Sequence, residues 1–234
     1  MTEEEKRIES EAVEYIKSAK AELLRRFAPE AECHPVVVPV SLFMAGSPGA
    51  GKTEVSKGLM RRFEDMPIRI DADDIRALCP GYVGTNAHLF QKAANKGVNI
   101  LYDYALERGL NCILDGTFAY EDAPQNIDRS LKRGRVVELW FVYQDPIRAW
   151  EFTKAREARE TRHVSKENFI RSFIKARHNA FAVKRQFGDR IKLNLLLKDY
   201  ETGEEDVRLN AAADDLDRVT DGRYSEDTLN NLLV

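Results

Sequence analysis

Leu42-Phe43-Met44-Ala45-Gly46-Ser47-Pro48-Gly49-Ala50-Gly51-Lys52-Thr53 is an apolar run that passes directly into a glycine-rich turn closed by Lys-Thr. Gly46, Gly51, Lys52 and Thr53 fit the spacing G-x-x-x-x-G-K-[ST]. In that pattern small residues leave backbone amides free to wrap phosphate oxygens, the lysine reaches the terminal phosphates and the hydroxyl ligates Mg²⁺. Gly46, Ser47, Pro48, Gly49, Ala50, Gly51, Lys52 and Thr53 are therefore the expected nucleotide-binding residues, Thr53 the expected metal ligand, and ATP with Mg²⁺ the expected cofactors. A helix starting near Lys52 and continuing through Val55, Leu59 and Met60 points the positive end of its dipole at the same anion. The alternative, a glycine turn beside a chance Lys-Thr, does not explain a strand before the loop and a helix after it.

Outward from the loop, strands alternate with helices. Residues 4–27 carry Ile8, Val13, Ile16, Ala19, Leu23 and Phe27 at mostly three- and four-residue steps, which predicts an amphipathic helix ended by Pro29, Pro35 and Pro39. The apolar run 36–45 supplies the strand that enters the loop, and residues 67–74 a short strand ending in acids. A helical region interrupted at Pro80-Gly81 runs through Leu89 and Leu106 to Gly109. Residues 111–117, 136–143 and 191–197 read as buried strands, with helices over 147–160 and 166–187 and a terminal helix capped by Ser225. This order predicts an α/β fold of the P-loop NTPase or kinase-like type, a mainly parallel sheet flanked by helices, with a helical lid. A chain of 234 residues suits one such domain over 1–234, with an N-terminal helix in 1–34, a basic helical lid region in 146–190 and an acidic C-terminal segment in 201–234.

Charge sharpens that division. The net charge of −3 makes nucleic acid an unlikely partner, yet residues 146–190 hold twelve Lys/Arg against five acids, and residues 201–234 three Arg against ten acids. A basic run is most often a solvated helix face; beside a phosphate loop it also suits a lid over phosphates. No apolar run reaches the ~20 residues of a membrane span, and the acidic start lacks the order of a secretory signal, so a cytoplasmic protein without a membrane partner is expected. Cys33, Cys79 and Cys112 show no metal or disulfide spacing and are expected as buried thiols.

In such sheets ligands bind beyond the carboxyl ends of the strands, so the polar residues ending three strands should converge: the loop, Asp71/Asp73/Asp74, and Asp115/Thr117. A phosphate cradle near a carboxylate is what a small-molecule kinase needs, because the carboxylate orients an acceptor hydroxyl and accepts its proton. Asp73 is the candidate base. Asp74, preceding Ile75-Arg76, reads as a helix cap; Asp71 and Asp115 suit Mg²⁺ or water coordination as well as substrate contact. Arg156, Arg159 and Arg162, at three-residue spacing in the basic region, suit stabilisation of charge on a migrating phosphoryl group. His88, His163 and His178 have no partner at nucleophile or metal spacing.

Together the loop, Ile70-Asp71-Ala72-Asp73, Asp115-Gly116-Thr117 and the pair Arg156 and Arg162 resemble the zeta toxin family of toxin–antitoxin systems over about residues 44–166. The resemblance implies an ATP- and Mg²⁺-dependent kinase acting on the 3′-hydroxyl of the sugar in UDP-N-acetylglucosamine, which blocks cell-wall precursor synthesis. It also implies a cognate antitoxin whose helix covers the ATP site. By the same resemblance Lys52 is the loop lysine, Thr53 the Mg²⁺ ligand, Asp73 the general base, Thr117 a substrate contact, and Arg156 and Arg162 the lid arginines. Asp115 stands where the family carries Glu, Asn99 where it has a sugar-contacting Glu, and Ile127 where it has a substrate Thr. Asp71, Asn99, Asp115 and Thr117 are thus the candidate substrate residues. Two alternatives remain open at this point: another hydroxyl acceptor (a different UDP-sugar, a drug, a dinucleotide or a nucleic-acid end), or a non-catalytic nucleotide-binding half of a toxin–antitoxin complex. The N-terminal helix is expected to pack on the sheet, with inhibition in cis as the alternative.

Overall fold

The computed structural model describes residues 1–160, 163–200, 202–220 and 223–233. The helices are α1 (Glu3–Ser18), α2 (Lys20–Phe27), α3 (Lys52–Met60), α4 (Ala72–Arg76), α5 (Gln91–Arg108), α6 (Ala123–Leu131), α7 (Pro146–Glu160), α8 (Lys166–Phe187), α9 (Ala213–Thr220) and α10 (Glu226–Leu232). The strands are β1 (Val40–Ala45), β2 (Ile68–Asp71), β3 (Cys112–Asp115), β4 (Val136–Gln144), β5 (Lys192–Lys198) and β6 (Glu205–Arg208). They form one sheet in the order β2-β3-β1-β4-β5-β6, parallel except for β6, which pairs antiparallel to β5 at the edge.

Both faces of this sheet are covered, which is why its strands read as unbroken apolar runs. Along β1 the side chains alternate: Leu42 and Met44 join Ile113, Trp140, Val142 and Leu196 beneath α3, whereas Phe43 and Ala45 face the larger core shared with α1, α2, α5 and α8. A third cluster, built from Ala149, Trp150, Phe169, Ile170 and Leu229, fastens α7 to α8 and α10. Buried Arg135 ties the entry ends of the strands together, donating to Val40 O (2.9 Å), Leu110 O (2.5 Å) and Ser41 Oγ (2.6 Å). Cys33, Cys79 and Cys112 are buried and free, as their spacing suggested.

Several boundaries differ from expectation, each for a local reason. The first helix divides at Ala19, where Ser18 Oγ bonds back to Tyr15 O at 2.9 Å and competes with the helical ladder. β1 begins only at Val40, because Pro39 has no N–H to give an interior strand; Val37 and Val38 are left 100% and 57% exposed. β2 stops at Asp71, and the helix cap is Asp71 rather than Asp74: its side chain accepts from Asp73 N at 2.8 Å. The edge strand β6 and helices α6 and α9 had no counterpart in the expected order. Ser225 caps α10 as expected, accepting from Thr228 N at 3.1 Å.

The N-terminal helix is part of the core: Ala12 and Ile16 of α1 are buried on the α5 side, and Glu9 pairs with Lys92 at 2.6 Å. α1, α4 and α5 meet at Gly97, where a Cβ would lie 2.5 Å from Ile75 Cγ2 and 3.5 Å from Ile16 Cγ2. Gly97→Val should therefore lower unfolding stability in urea by about 3 kcal/mol through overpacking. A change within ~0.5 kcal/mol, the range of ordinary surface substitutions, contradicts this packing.

Candidate active site

The phosphate loop leaves β1 at the point where the sheet order reverses, with β3 on one side and β4 on the other. Its glycines are needed for space as well as for conformation. Gly46, Gly49 and Gly51 adopt φ of 136°, 74° and 82°. A Cβ on Gly46 would fall 2.3 Å from Val142 O in β4, and one on Gly49 would fall 2.0 Å from Ala149 O and 2.7 Å from Thr153 Oγ1 in α7. The loop is thus wedged between β4 and α7 by backbone alone. Gly46 N donates to Thr117 O at 3.2 Å, joining the loop to the turn after β3. The Lys52 side chain is buried and folds back over the loop, its Nζ donating to Ser47 O at 2.6 Å, and Thr53, the second residue of α3, is half-buried.

Parallel register sets Asp71 beside Asp115, and Leu114 beside Phe43, so the tips of β2, β3 and β1 lie in sequence. Arg69, inside β2, serves three of the neighbouring acids. Its guanidinium donates to Asp115 Oδ2 (2.7 and 3.0 Å), Asp71 Oδ2 (2.6 Å) and Asp74 Oδ2 (2.6 Å). Ser56 Oγ of α3 donates to the same Asp115 oxygen at 2.6 Å, so the helix that follows the phosphate loop is bonded to the acidic tip. Asp73 stands in the first turn of α4, where Arg76 Nη1 donates to its Oδ1 at 2.5 Å; Arg76 Nη2 reaches Gln91 Oε1 at 2.7 Å, and its buried Nε has no partner among the described residues.

The electrostatics follow from this crowding. Burial pushes the Asp71 carboxyl up to about 6, with the charges of Asp73 and Asp115 adding to it, against the Asp73 amide and Arg69. Burial works against the Arg69 charge, but Asp115, Asp71 and Asp74 more than compensate and hold the guanidinium protonated.

Thr117 is half-buried in the turn after β3, and its Oγ1 accepts from Ala119 N at 3.3 Å. The turn places Phe118 at φ 60°, a strained position for a bulky residue. Phe118 packs edge-on against Phe43, and Asn179 of α8 donates to Phe118 O (2.8 Å) and Tyr120 O (3.0 Å). The structure therefore brings together the loop, Asp71, Asp73, Asp115 and Thr117. Arg156 is exposed on α7, one turn beyond Thr153 on the stripe that touches Gly49. Asn99 is exposed midway along α5, and no side-chain hydrogen bond among the described residues joins it to this cluster. Arg162 lies outside the described residues.

Arg69, Arg76, Ser56 and Asn179 were not anticipated. Arg69 carried a usable signal, a cation set between two isoleucines in a strand that ends in acids. The apolar run Cys112-Ile113-Leu114 closed by Asp115 is likewise the pattern of the metal-side aspartate in P-loop enzymes.

A carboxyl raised to about 6 binds its proton more tightly in the folded than in the unfolded chain, so it costs stability as pH rises from about 4 to 6. Asp71→Asn keeps a good capping residue and removes that titration. Measured by urea unfolding between pH 4 and 8, the wild type should lose on the order of 1–3 kcal/mol relative to the variant across that window, a gap that persists above it. Parallel pH profiles contradict the assignment.

A family model described as Zeta toxin matches residues 26–205, most of the chain. Toxin PezT of Streptococcus pneumoniae serotype 4 is 26% identical over 149 residues, 60% of this chain and 58% of PezT, so the match spans less than two thirds of that relative. Among solved structures, the PezAT chromosomal toxin–antitoxin system of Streptococcus pneumoniae is similar at TM-score 0.66 and 18% identity, over 99% of this chain and 97% of that one. The AvrRxo1-ORF1:AvrRxo1-ORF2 structure with sulphate ions is similar at TM-score 0.62 and 14% identity, over 97% and 80%. These two likenesses establish the P-loop kinase fold. On the family match, the chain belongs to the zeta toxin family.

Proposed function

We propose that this chain transfers the γ-phosphate of ATP to a sugar hydroxyl of a nucleotide sugar, the 3′-hydroxyl of UDP-N-acetylglucosamine or a close relative, and so inhibits cell-wall precursor synthesis. The observation that carries the proposal is that the glycine-rich loop after β1 and the acids after β3 and β2, Asp73 among them, stand at the same end of three consecutive strands of the sheet.

The residues present fit the implied ligands: a glycine loop whose backbone is pressed against β4 and α7 at Gly46 and Gly49, Lys52 folded over it, and a hydroxyl at Thr53 beside an aspartate-bearing strand. Loop amides and Lys52 hold the terminal phosphates. Thr53 would ligate Mg²⁺, which when bound neutralises phosphate charge. Asp73 accepts the proton of the acceptor hydroxyl as its oxygen bonds to the γ-phosphorus, and the bond to the β-phosphate oxygen breaks to release ADP. Arg76 fixes the orientation of that carboxylate, and Arg156 with Arg162 closes over the migrating group. A cognate antitoxin is the proposed partner, in keeping with the toxin–antitoxin setting of the PezAT structure.

One observation favours a different acceptor within the same chemistry. Ile127 is 0% exposed in the core and offers no hydroxyl, and Asn99, exposed on α5, offers no charge where the resemblance implies a carboxylate, which supports an acceptor with a different sugar.

Incubated with ATP, Mg²⁺ and UDP-N-acetylglucosamine, the protein should yield ADP and a phosphorylated sugar nucleotide. Asp73→Ala should reduce kcat on the order of 10²–10⁴-fold while ATP still binds. Full activity in that variant sinks the base assignment. Transfer only to another UDP-sugar keeps the kinase and replaces its acceptor, and ATP binding without transfer to any acceptor favours a non-catalytic role.

A further inference from the structure

Asp73 and Arg76 stand on α4, a helix of five residues, too short to hold two charged side chains in one arrangement by its own backbone. Their hold comes from α5. Ile75, between them in the chain, is fully buried, and it packs on Gly97 of α5 so closely that a Cβ there would stand 2.5 Å from Ile75 Cγ2. The next residue, Arg76, is 3% exposed and spans the gap between the two helices. Its Nη1 donates to Asp73 Oδ1 at 2.5 Å, and its Nη2 donates to Oε1 of Gln91, the first residue of α5, at 2.7 Å. Among the described residues Asp73 is the one carboxylate that pairs with Arg76.

The direction of the Gln91 amide follows from what it meets. A guanidinium offers donors only, so the amide oxygen faces Arg76 and the NH₂ group is turned away from it. That group finds Asn95 Oδ1 at 2.8 Å, one helical turn further along α5. The bonds therefore run outward from Arg76 in both directions, to Asp73 on one side and through Gln91 to Asn95 on the other. The buried Nε of Arg76 finds no partner among the described residues, so the two Nη bonds fix the plane of the guanidinium. Without Gln91 a single bond to Asp73 remains, and a single bond fixes no plane.

We propose that Gln91 is a positioning residue for phosphoryl transfer: through Arg76 it sets the plane in which the Asp73 carboxylate meets the acceptor hydroxyl, and Asn95 holds the Gln91 amide in the required direction. This role rests on the reading of Asp73 as the base. Gln91 acts through another side chain and touches no reactant, so its removal is felt in turnover rather than in substrate affinity.

Steady-state kinetics of the full chain with Mg²⁺–ATP and UDP-N-acetylglucosamine provide the test. Gln91→Met keeps the length of the side chain and removes the acceptor; it should lower kcat about tenfold while both KM values stay within about twofold. Asn95→Leu should lower kcat about threefold, Asn95→Asp, which keeps an acceptor for Gln91, should recover it, and the double variant Gln91→Met/Asn95→Leu should be no slower than Gln91→Met alone. Both side chains are exposed, so each variant should melt at the wild-type temperature. Wild-type kcat in Gln91→Met, a KM increase that matches the loss in kcat, or losses that add in the double variant overturn the assignment. Nitrogen-15 NMR adds a readout that needs no turnover: the Arg76 Nη signals, held apart in the wild type by restricted rotation, should merge in Gln91→Met. Signals already merged in the wild type overturn the alignment itself. The expected NMR pattern in a protein that transfers phosphate to no acceptor sinks the kinase reading and leaves the alignment of Asp73 by Arg76 and Gln91 standing.

Discussion

One guanidinium allows the acidic tip to exist. Asp71 and Asp115 lie side by side across parallel strands, with Asp74 one helical turn away, and all three bond to Arg69. Like charges at such spacing repel by several kcal/mol where solvent is partly excluded, and the Asp71 carboxyl stays raised, chiefly by burial and then by Asp73 and Asp115, even with Arg69 beside it. The same cation, through Asp115 and Ser56, ties the helix that follows the phosphate loop to the strand that carries the acids. Asp71 in turn caps the short helix on which Asp73 and Arg76 meet. The position of the proposed base therefore depends on a chain of charge-assisted bonds beginning in the middle of β2.

The phosphate loop obeys a second constraint, the absence of side chains at its glycines. Gly46 and Gly49 press backbone against backbone on β4 and α7, so any movement of α7 is felt directly at the loop. The basic helices that follow Pro146 are consequently coupled to the nucleotide site by packing as well as by charge. The cluster that fastens α7 to α8 and α10 extends the coupling to the C-terminal segment, where Tyr224 donates to Asp145 Oδ2 at 2.6 Å. Asp145 Oδ1 accepts from Ile147 N at the start of α7, so both ends of this arrangement meet at one carboxylate.

Much of this was legible in the sequence because it rests on local patterns. The apolar runs, the glycine loop with Lys52 and Thr53, and the alternation of strands with helices were enough for the parallel sheet and for the convergence of Asp73, Asp115 and Thr117 at its tips. What was not legible depends on partners distant in the chain. Nothing local marks Arg69 as the partner of Asp115, 46 residues away, or Asn179 as the clamp on Phe118, 61 residues away. The capping role passed from Asp74 to Asp71 because strand pairing with Asp115 carries β2 as far as Asp71, and the next residue must open the helix. The edge strand β6 was hidden by its composition, two acids, a valine and an arginine, all four exposed, with the charges by which edge strands resist further pairing.

The most direct test of the account is a crystal structure of the protein with Mg²⁺ and a non-hydrolysable ATP analogue. The account predicts the terminal phosphate at Lys52 and the loop amides, with the Asp73 carboxylate facing it across a gap that admits one hydroxyl at about 3–3.5 Å from the phosphorus. A terminal phosphate seated away from Lys52, or an Asp73 screened from it by Arg76, contradicts the account.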